Sequence, residues 1–104
     1  MEPIIDKQMA VYVDDLMTCI PNANWRWSKS CHLIADDIDE LHGFAKRIGM
    51  RYLWFQNDSR LPHYDLNESR RRVAVKQGAV ELDRRGFVEK MWQLQQSLVL
   101  AGRV

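Results

Sequence analysis

Two short apolar runs, each halted by a pair of carboxylates, set the pattern in the first third of this chain. Ala10-Val11-Tyr12-Val13 is β-branched and aromatic and stops at Asp14-Asp15; His32-Leu33-Ile34-Ala35 stops at Asp36-Asp37. Both read as short buried strands. Between them, Pro21-Asn22-Ala23-Asn24 is turn chemistry. The period then changes. Asp37 stands at capping-box spacing from Glu40, and Ile38, Leu41, Phe44, Ala45 and Ile48 recur at helical intervals before Gly49. Tyr52 to Phe55 reads as a third strand. Asn67 can cap a second helix that runs to Gln77 and stops at Gly78, and Ala79-Val80-Glu81-Leu82 reads as a fourth strand. Phe87, Val88, Met91, Leu94, Gln95 and Leu98 trace one face of a C-terminal helix starting near Arg84.

The order β-β-α-β-α-β-α predicts a small α/β domain. Strands separated by helices favour βαβ crossovers, so the expectation is a mostly parallel sheet of about four short strands with helices packed on it. The irregular first connection, residues 16–31, leaves room for one antiparallel edge strand. Residues 1–8 precede the first pattern and read as an N-terminal extension. Residues 9–104 read as a single domain, its C-terminal helix covering about residues 84–101.

Composition narrows the class without naming a reaction. A chain of 104 residues suits one domain, and 46% apolar with 28% charged side chains is ordinary globular composition. Fifteen basic residues against fourteen acidic ones leave a net charge of +1, which argues against a general polyanion-binding surface. No run of about 18 apolar residues is present, so no transmembrane helix and no membrane partner is expected. The opening residues lack an apolar signal-peptide core. Cys19 and Cys31 form no CxxC pair, and reduced thiols in a cytoplasmic setting fit them best. Neither GxxxxGK[ST] nor GxGxxG occurs, and Leu16 stands where a haloacid dehalogenase opening needs a second Asp.

In a parallel sheet, ligands gather at the carboxyl ends of the strands. Asp14 and Asp15 follow the first strand and Asp36 the second, Gln56 follows the third, and the next loop carries His63-Tyr64-Asp65. On that topology the acids converge and need a cation. Oxygen-rich donors suit Mg²⁺ or Mn²⁺ better than Zn²⁺, so Asp14, Asp15 and Asp36 are the expected metal ligands. Only one of Asp14 and Asp15 can face the site, because neighbours on a strand point opposite ways. His63 and Asp65, two apart, share a side and read as a proton-transfer pair, against the alternative of a structural hydrogen bond. His32 and Asp36 would lie roughly 13 Å apart along one strand, which keeps His32 out of a site shared with Asp36. Tyr64, Ser69, Arg70 and Arg71 make up the expected substrate side. Residues 60–76 carry five basic and two acidic side chains around a helix N-terminus, suited to phosphate or simply a solvated face. Trp25-Arg26-Trp27 reads either as a lid over the core or as a base-stacking segment.

Taken in order, these motifs resemble a known family. Val11-Tyr12-Val13-Asp14-Asp15, Cys31-His32-Leu33-Ile34-Ala35-Asp36, Glu40-Leu41-His42-Gly43-Phe44-Ala45, Trp54-Phe55-Gln56, His63-Tyr64-Asp65-Leu66 and Ser69-Arg70-Arg71 are similar to the bacterial and phage proteins catalogued as domain of unknown function four-zero-three-one. The resemblance covers roughly residues 9–84, and it brings no activity with it. Two functional expectations therefore stand. The first is a divalent-metal-dependent enzyme, such as a hydrolase, acting on a phosphate-bearing substrate such as a nucleotide or a nucleic-acid end. The second is a non-catalytic accessory module that binds a protein or nucleic acid, with the C-terminal helix available for a homodimer.

Overall fold

The computed structural model describes residues 10–57 and 61–100, with side chains to residue 96 in the last helix. The expected extension at residues 1–8 lies outside the described residues. Five strands, β1 (Val11–Val13), β2 (Met17–Thr18), β3 (Lys29–Ala35), β4 (Tyr64–Leu66) and β5 (Val80–Glu81), form one mixed sheet. Three helices accompany it, α1 (Ile38–Arg47), α2 (Glu68–Lys76) and α3 (Arg84–Leu100).

The helices start and stop where side-chain chemistry directs. The Asp37 carboxylate accepts the Asp39 and Glu40 backbone N–H groups at 3.1 and 3.2 Å, which satisfies two donors the first turn of α1 would leave open. Asn67 does the same for α2 by accepting Arg70 N–H at 2.8 Å. Gly49 and Gly78 follow α1 and α2 with φ of 85° and 110°, a region that costs other residues strain. Gly49 has a second constraint, since a Cβ there would meet the Arg70 guanidinium at 3.1 Å.

Pairing within the sheet departs from the expected parallel arrangement. β3 runs antiparallel to β1, to β2 and to β4, and only β1 and β5 are parallel. The segment between β1 and β3 returns as a ribbon rather than through a crossover helix, so the two must be antiparallel. Tyr52–Phe55 is not a strand. Tyr52–Trp54 form one 3₁₀ turn, closed by Trp54 N–H to Arg51 O and Phe55 N–H to Tyr52 O, both at 2.9 Å. The strand lies instead at Tyr64–Leu66, read above as loop, where Tyr64 and Leu66 are buried and Asp65 is turned the other way.

That alternation divides the core in two. Val11, Val13, Cys31, Leu33, Tyr64 and Leu66 face α1 and α2, packing on Leu41, Phe44, Ala45, Ile48 and Ala74. Tyr12 and Ile34 point to the opposite face and pack with Leu61 and with Phe87, Met91 and Leu94 of α3. The result is helix–sheet–helix layering with both sheet faces covered. Each large side chain fully removed from water here contributes about 1.5–3 kcal/mol.

The polarity of β3 decides where the predicted metal ligands lie. Asp14 ends β1 beside the first half of β3, whereas Asp36 ends β3 beside Ala10, at the other end of β1. The two carboxylates therefore sit at opposite ends of the sheet and cannot share one ion. Asp36 serves as a latch. It accepts from Ala10 N–H at 3.1 Å and Tyr12 O–H at 2.9 Å, and pairs with Lys90 of α3 at 3.5 Å. Asp36→Asn is expected to cost about 1–2 kcal/mol by weakening these bonds to a charged group. Its response to added metal should match the wild type in a thermal-unfolding series; loss of that response would return Asp36 to the ligand set.

Candidate functional site

Between the pairs Val13–Leu33 and Met17–Ser30 the first ribbon uses three residues, Asp14 to Leu16, where β3 uses two, Cys31 and His32. This extra residue is a β-bulge, which breaks the ladder and re-aims side chains. The break leaves His32 N–H without a backbone acceptor, and Asp14 replaces it. One Asp14 carboxylate oxygen accepts His32 N–H at 2.6 Å and the other accepts His32 Nδ1–H at 2.7 Å. Arg71 of α2 holds the bulge from beneath, donating through Nε to Asp14 O at 2.9 Å and pairing with Glu81 of β5 at 3.1 Å.

Across the ladder, His32 stands directly opposite Asp65 of β4. Two residues earlier, His63 projects to the same side as Asp65. An extra bridge to Gln56 fixes that segment through two backbone bonds of 2.8 and 3.1 Å. The His32 and His63 rings meet edge-on with centroids 5.2 Å apart, and Phe87 from the first turn of α3 stacks on His32 at 5.6 Å. His63 Nδ1–H donates to Leu61 O at 2.8 Å, while its Nε2 lies 3.4 Å from an Asp65 oxygen. Gln56 Nε2 donates to the other Asp65 oxygen at 3.3 Å.

Both imidazoles thus have Nδ1 committed, His32 to a carboxylate and His63 to a backbone carbonyl. The His63 ring atom beside Asp65 is Nε2. One donor atom from each of His32, His63 and Asp65 lies within 4.8 Å of the others. Ligands on a single ion with bonds of about 2.1 Å sit about 3.0–3.4 Å apart, so small side-chain rotations close the set. A carboxylate or carbonyl on the second ring nitrogen is the usual way a protein orients a metal-binding histidine. With no ion bound, the hydrogen bond from His63 Nε2–H holds the Asp65 carboxyl below the ordinary range, the nearby imidazoles acting in the same direction, and an ion held at Nε2 would displace that proton.

The residues expected to act together are thereby sorted. His63 and Asp65 do meet. Asp14 joins them only through His32. Asp15 is exposed on the outer side of the bulge, and Asp36 is at the far end of the sheet. Tyr64 does not face a substrate: the strand alternation buries it to 1% exposure, with its hydroxyl 2.9 Å from His42 Nδ1, and that burial raises its pKa. Ser69 is exposed on α2. Arg70 donates to Ile48 O at 2.8 Å and caps the end of α1, and Arg71 is spent on the bulge. His32 lies four residues before Asp36 along β3, too far to share a site with it. That distance argument holds, yet His32 belongs to a different set, visible only once β3 and β4 are paired.

Cys31 lies close by on the buried face and is 2% exposed. Burial, aided by the Asp14 charge, pushes its thiol up to about 12. Alkylation of the native protein is therefore expected at Cys19 first, with Cys31 reacting only on unfolding, as a thiol-reagent time course would show.

The fold and this cluster define a three-layered α/β domain with a mixed sheet and a histidine–carboxylate centre at its β3–β4 edge. No curated protein matches the chain, and no solved structure does. A family model described as protein of unknown function (DUF4031) matches residues 11–94, and the chain belongs to that family. The match runs past the motifs that end near Arg84 and takes in most of α3. Among the described residues no helix is long and apolar enough to cross a membrane.

Proposed function

We propose that this chain is a divalent-metal-dependent hydrolase of phosphate-bearing substrates, with the metal held by His32 Nε2, His63 Nε2 and Asp65. The observation that carries the reading is the joint commitment of both Nδ1 atoms, which aims two imidazoles and a carboxylate at one point. Two nitrogen donors and one oxygen shift the preferred ion from Mg²⁺ toward Zn²⁺ or Mn²⁺. Three protein ligands leave a coordination position for water, whose pKa a bound ion lowers enough to supply a nucleophile near neutrality. Arg70, alongside Asp65 on a neighbouring groove, supplies a cation for the substrate anion.

The test is hydrolysis of a chromogenic phosphodiester and phosphomonoester with Zn²⁺, Mn²⁺ or Mg²⁺. Metal-dependent turnover that falls at least about 100-fold in His63→Ala and His32→Ala supports the proposal. Turnover unaffected by either substitution, or none with any metal, rejects it.

A non-catalytic module is favoured by one separate feature. Val88 and Trp92, four residues apart on α3, are 42% and 61% exposed, a stripe open to a second copy or another protein. On that reading Trp92→Lys converts a self-associated species to monomer in sedimentation, with the metal response intact.

A further inference from the structure

A groove of about 590 Å³ opens beside the histidine–carboxylate cluster and shares Asp65 and Gln56 with it. That volume is in the range of small-molecule sites. Its walls are aromatic. Trp27 and Trp54 come from two different loops, are 39% and 46% exposed, and each has an arginine over its ring, Arg26 at 5.2 Å and Arg51 at 5.8 Å. Trp25, edge-on to Trp27 at 4.8 Å, has a buried indole N–H with no acceptor among the described residues. The polar lining is specific in kind: Gln56 and Asn67 are amides that both donate and accept, Arg70 is cationic, and Asp65 leads to the cluster.

Resting on the metal-site reading above, we infer that this groove binds the base of a nucleotide, placing its phosphate toward Arg70 and the His32–His63–Asp65 centre. Exposed indoles on a folded surface carry a hydration cost that stacking on a planar ring removes, and every base offers such a face. Amide side chains match the alternating donors and acceptors of a base edge. An apolar chain would bury the tryptophans equally well but would cover the hydrogen-bonding capacity that Gln56, Asn67 and Arg70 keep beyond their bonds to Asp65, the Arg70 N–H and Ile48 O, a loss for each. A sugar phosphate without a base would use Arg70 and leave the indoles in water. Of the two roles open to the tryptophan segment, lid or stacking element, the groove assigns stacking, joined by Trp54 of the 3₁₀ turn. The same chemistry is presented by a mononucleotide and by the end of a single strand.

Tryptophan fluorescence decides the matter. Titration of the full chain in EDTA with adenosine monophosphate is expected to quench saturably, since stacking of the base does not need the metal. Trp54→Ala and Trp27→Ala should each weaken binding about 5- to 150-fold, the range for loss of one stacked base, while Trp54→Phe retains most of it. Circular dichroism establishes that each variant is folded. Ribose 5-phosphate should bind far more weakly; equal binding overturns base recognition. No quenching in a protein that still responds to Zn²⁺ overturns the groove and leaves the metal site standing. A parallel titration with a thymidine hexanucleotide separates the sources: tighter binding than the mononucleotide assigns a strand end, and equal binding assigns the free nucleotide.

Discussion

Saturating Zn²⁺ is expected to raise the melting temperature of the wild-type chain by about 10–20 °C, and neither His32→Ala nor His63→Ala should show the rise. An ion at 100 times its dissociation constant adds about 2.7 kcal/mol to a protein that binds it only when folded. In a domain of this length each kcal/mol is worth about 4–8 °C. The order Zn²⁺ above Mn²⁺ above Mg²⁺ follows from two imidazole donors. Each variant must be compared with its own metal-free baseline, because His32 also stacks on Phe87 and its loss leaves Asp14 with one partner fewer. The pH dependence has a definite sign. Protons compete with the metal for both Nε2 nitrogens, so affinity falls as the solution is acidified. Asp65 behaves differently. Its carboxyl is held low, so the stability it contributes is present above the ordinary carboxylate range and is lost as pH falls through its depressed value. A metal response undiminished by acidification would exclude the imidazoles as ligands.

Asp14→Asn is expected to weaken metal affinity about 10- to 100-fold and to cost about 2–3 kcal/mol without metal. Asp14 is 7% exposed and accepts two bonds from the same residue, one from the backbone and one from the ring of His32. An amide of the same shape can accept only one. Its NH₂ group then faces an N–H donor, and His32 must change tautomer or swing away from β4. Isothermal titration with Zn²⁺ and urea unfolding measure the two effects separately. A stability loss with unchanged affinity would show that Phe87 alone orients His32, and the carboxylate would keep only its role in the bulge. Because Arg71 holds Asp14 by its backbone carbonyl, that contact survives the substitution and does not confuse the comparison.

Much of this molecule is legible residue by residue, and the limit falls where partners are far apart in the chain. Asp37, Asn67, Gly49 and Gly78 act on groups within a few residues of themselves, so both capped helices start and end where the sequence indicates. Tyr52–Phe55 misleads because aromatic residues favour strands and tight exposed turns alike, and only burial separates the two. His63-Tyr64-Asp65-Leu66 does alternate polar and apolar, but Pro62 and the short length mask a strand that exists because β3 offers an edge to it.

The sequence by itself determined the helices, the two central strands, the family, and the pairing of His63 with Asp65 on one side of the chain. Those features depend on period, capping and neighbours two to four residues away. Only the tertiary structure decided that β3 runs against β1, and with that choice Asp14 and Asp36 go to opposite ends of the sheet. It also decided that a bulge at Asp14 needs a side-chain acceptor for His32, and that His32 stands opposite Asp65. Strand direction and register are settled by how both faces of the sheet are buried, α1 and α2 on one and α3 on the other. A shift of one residue in that register would turn His32 into the core and Cys31 toward the site, so the candidate centre is a product of packing that no local motif encodes.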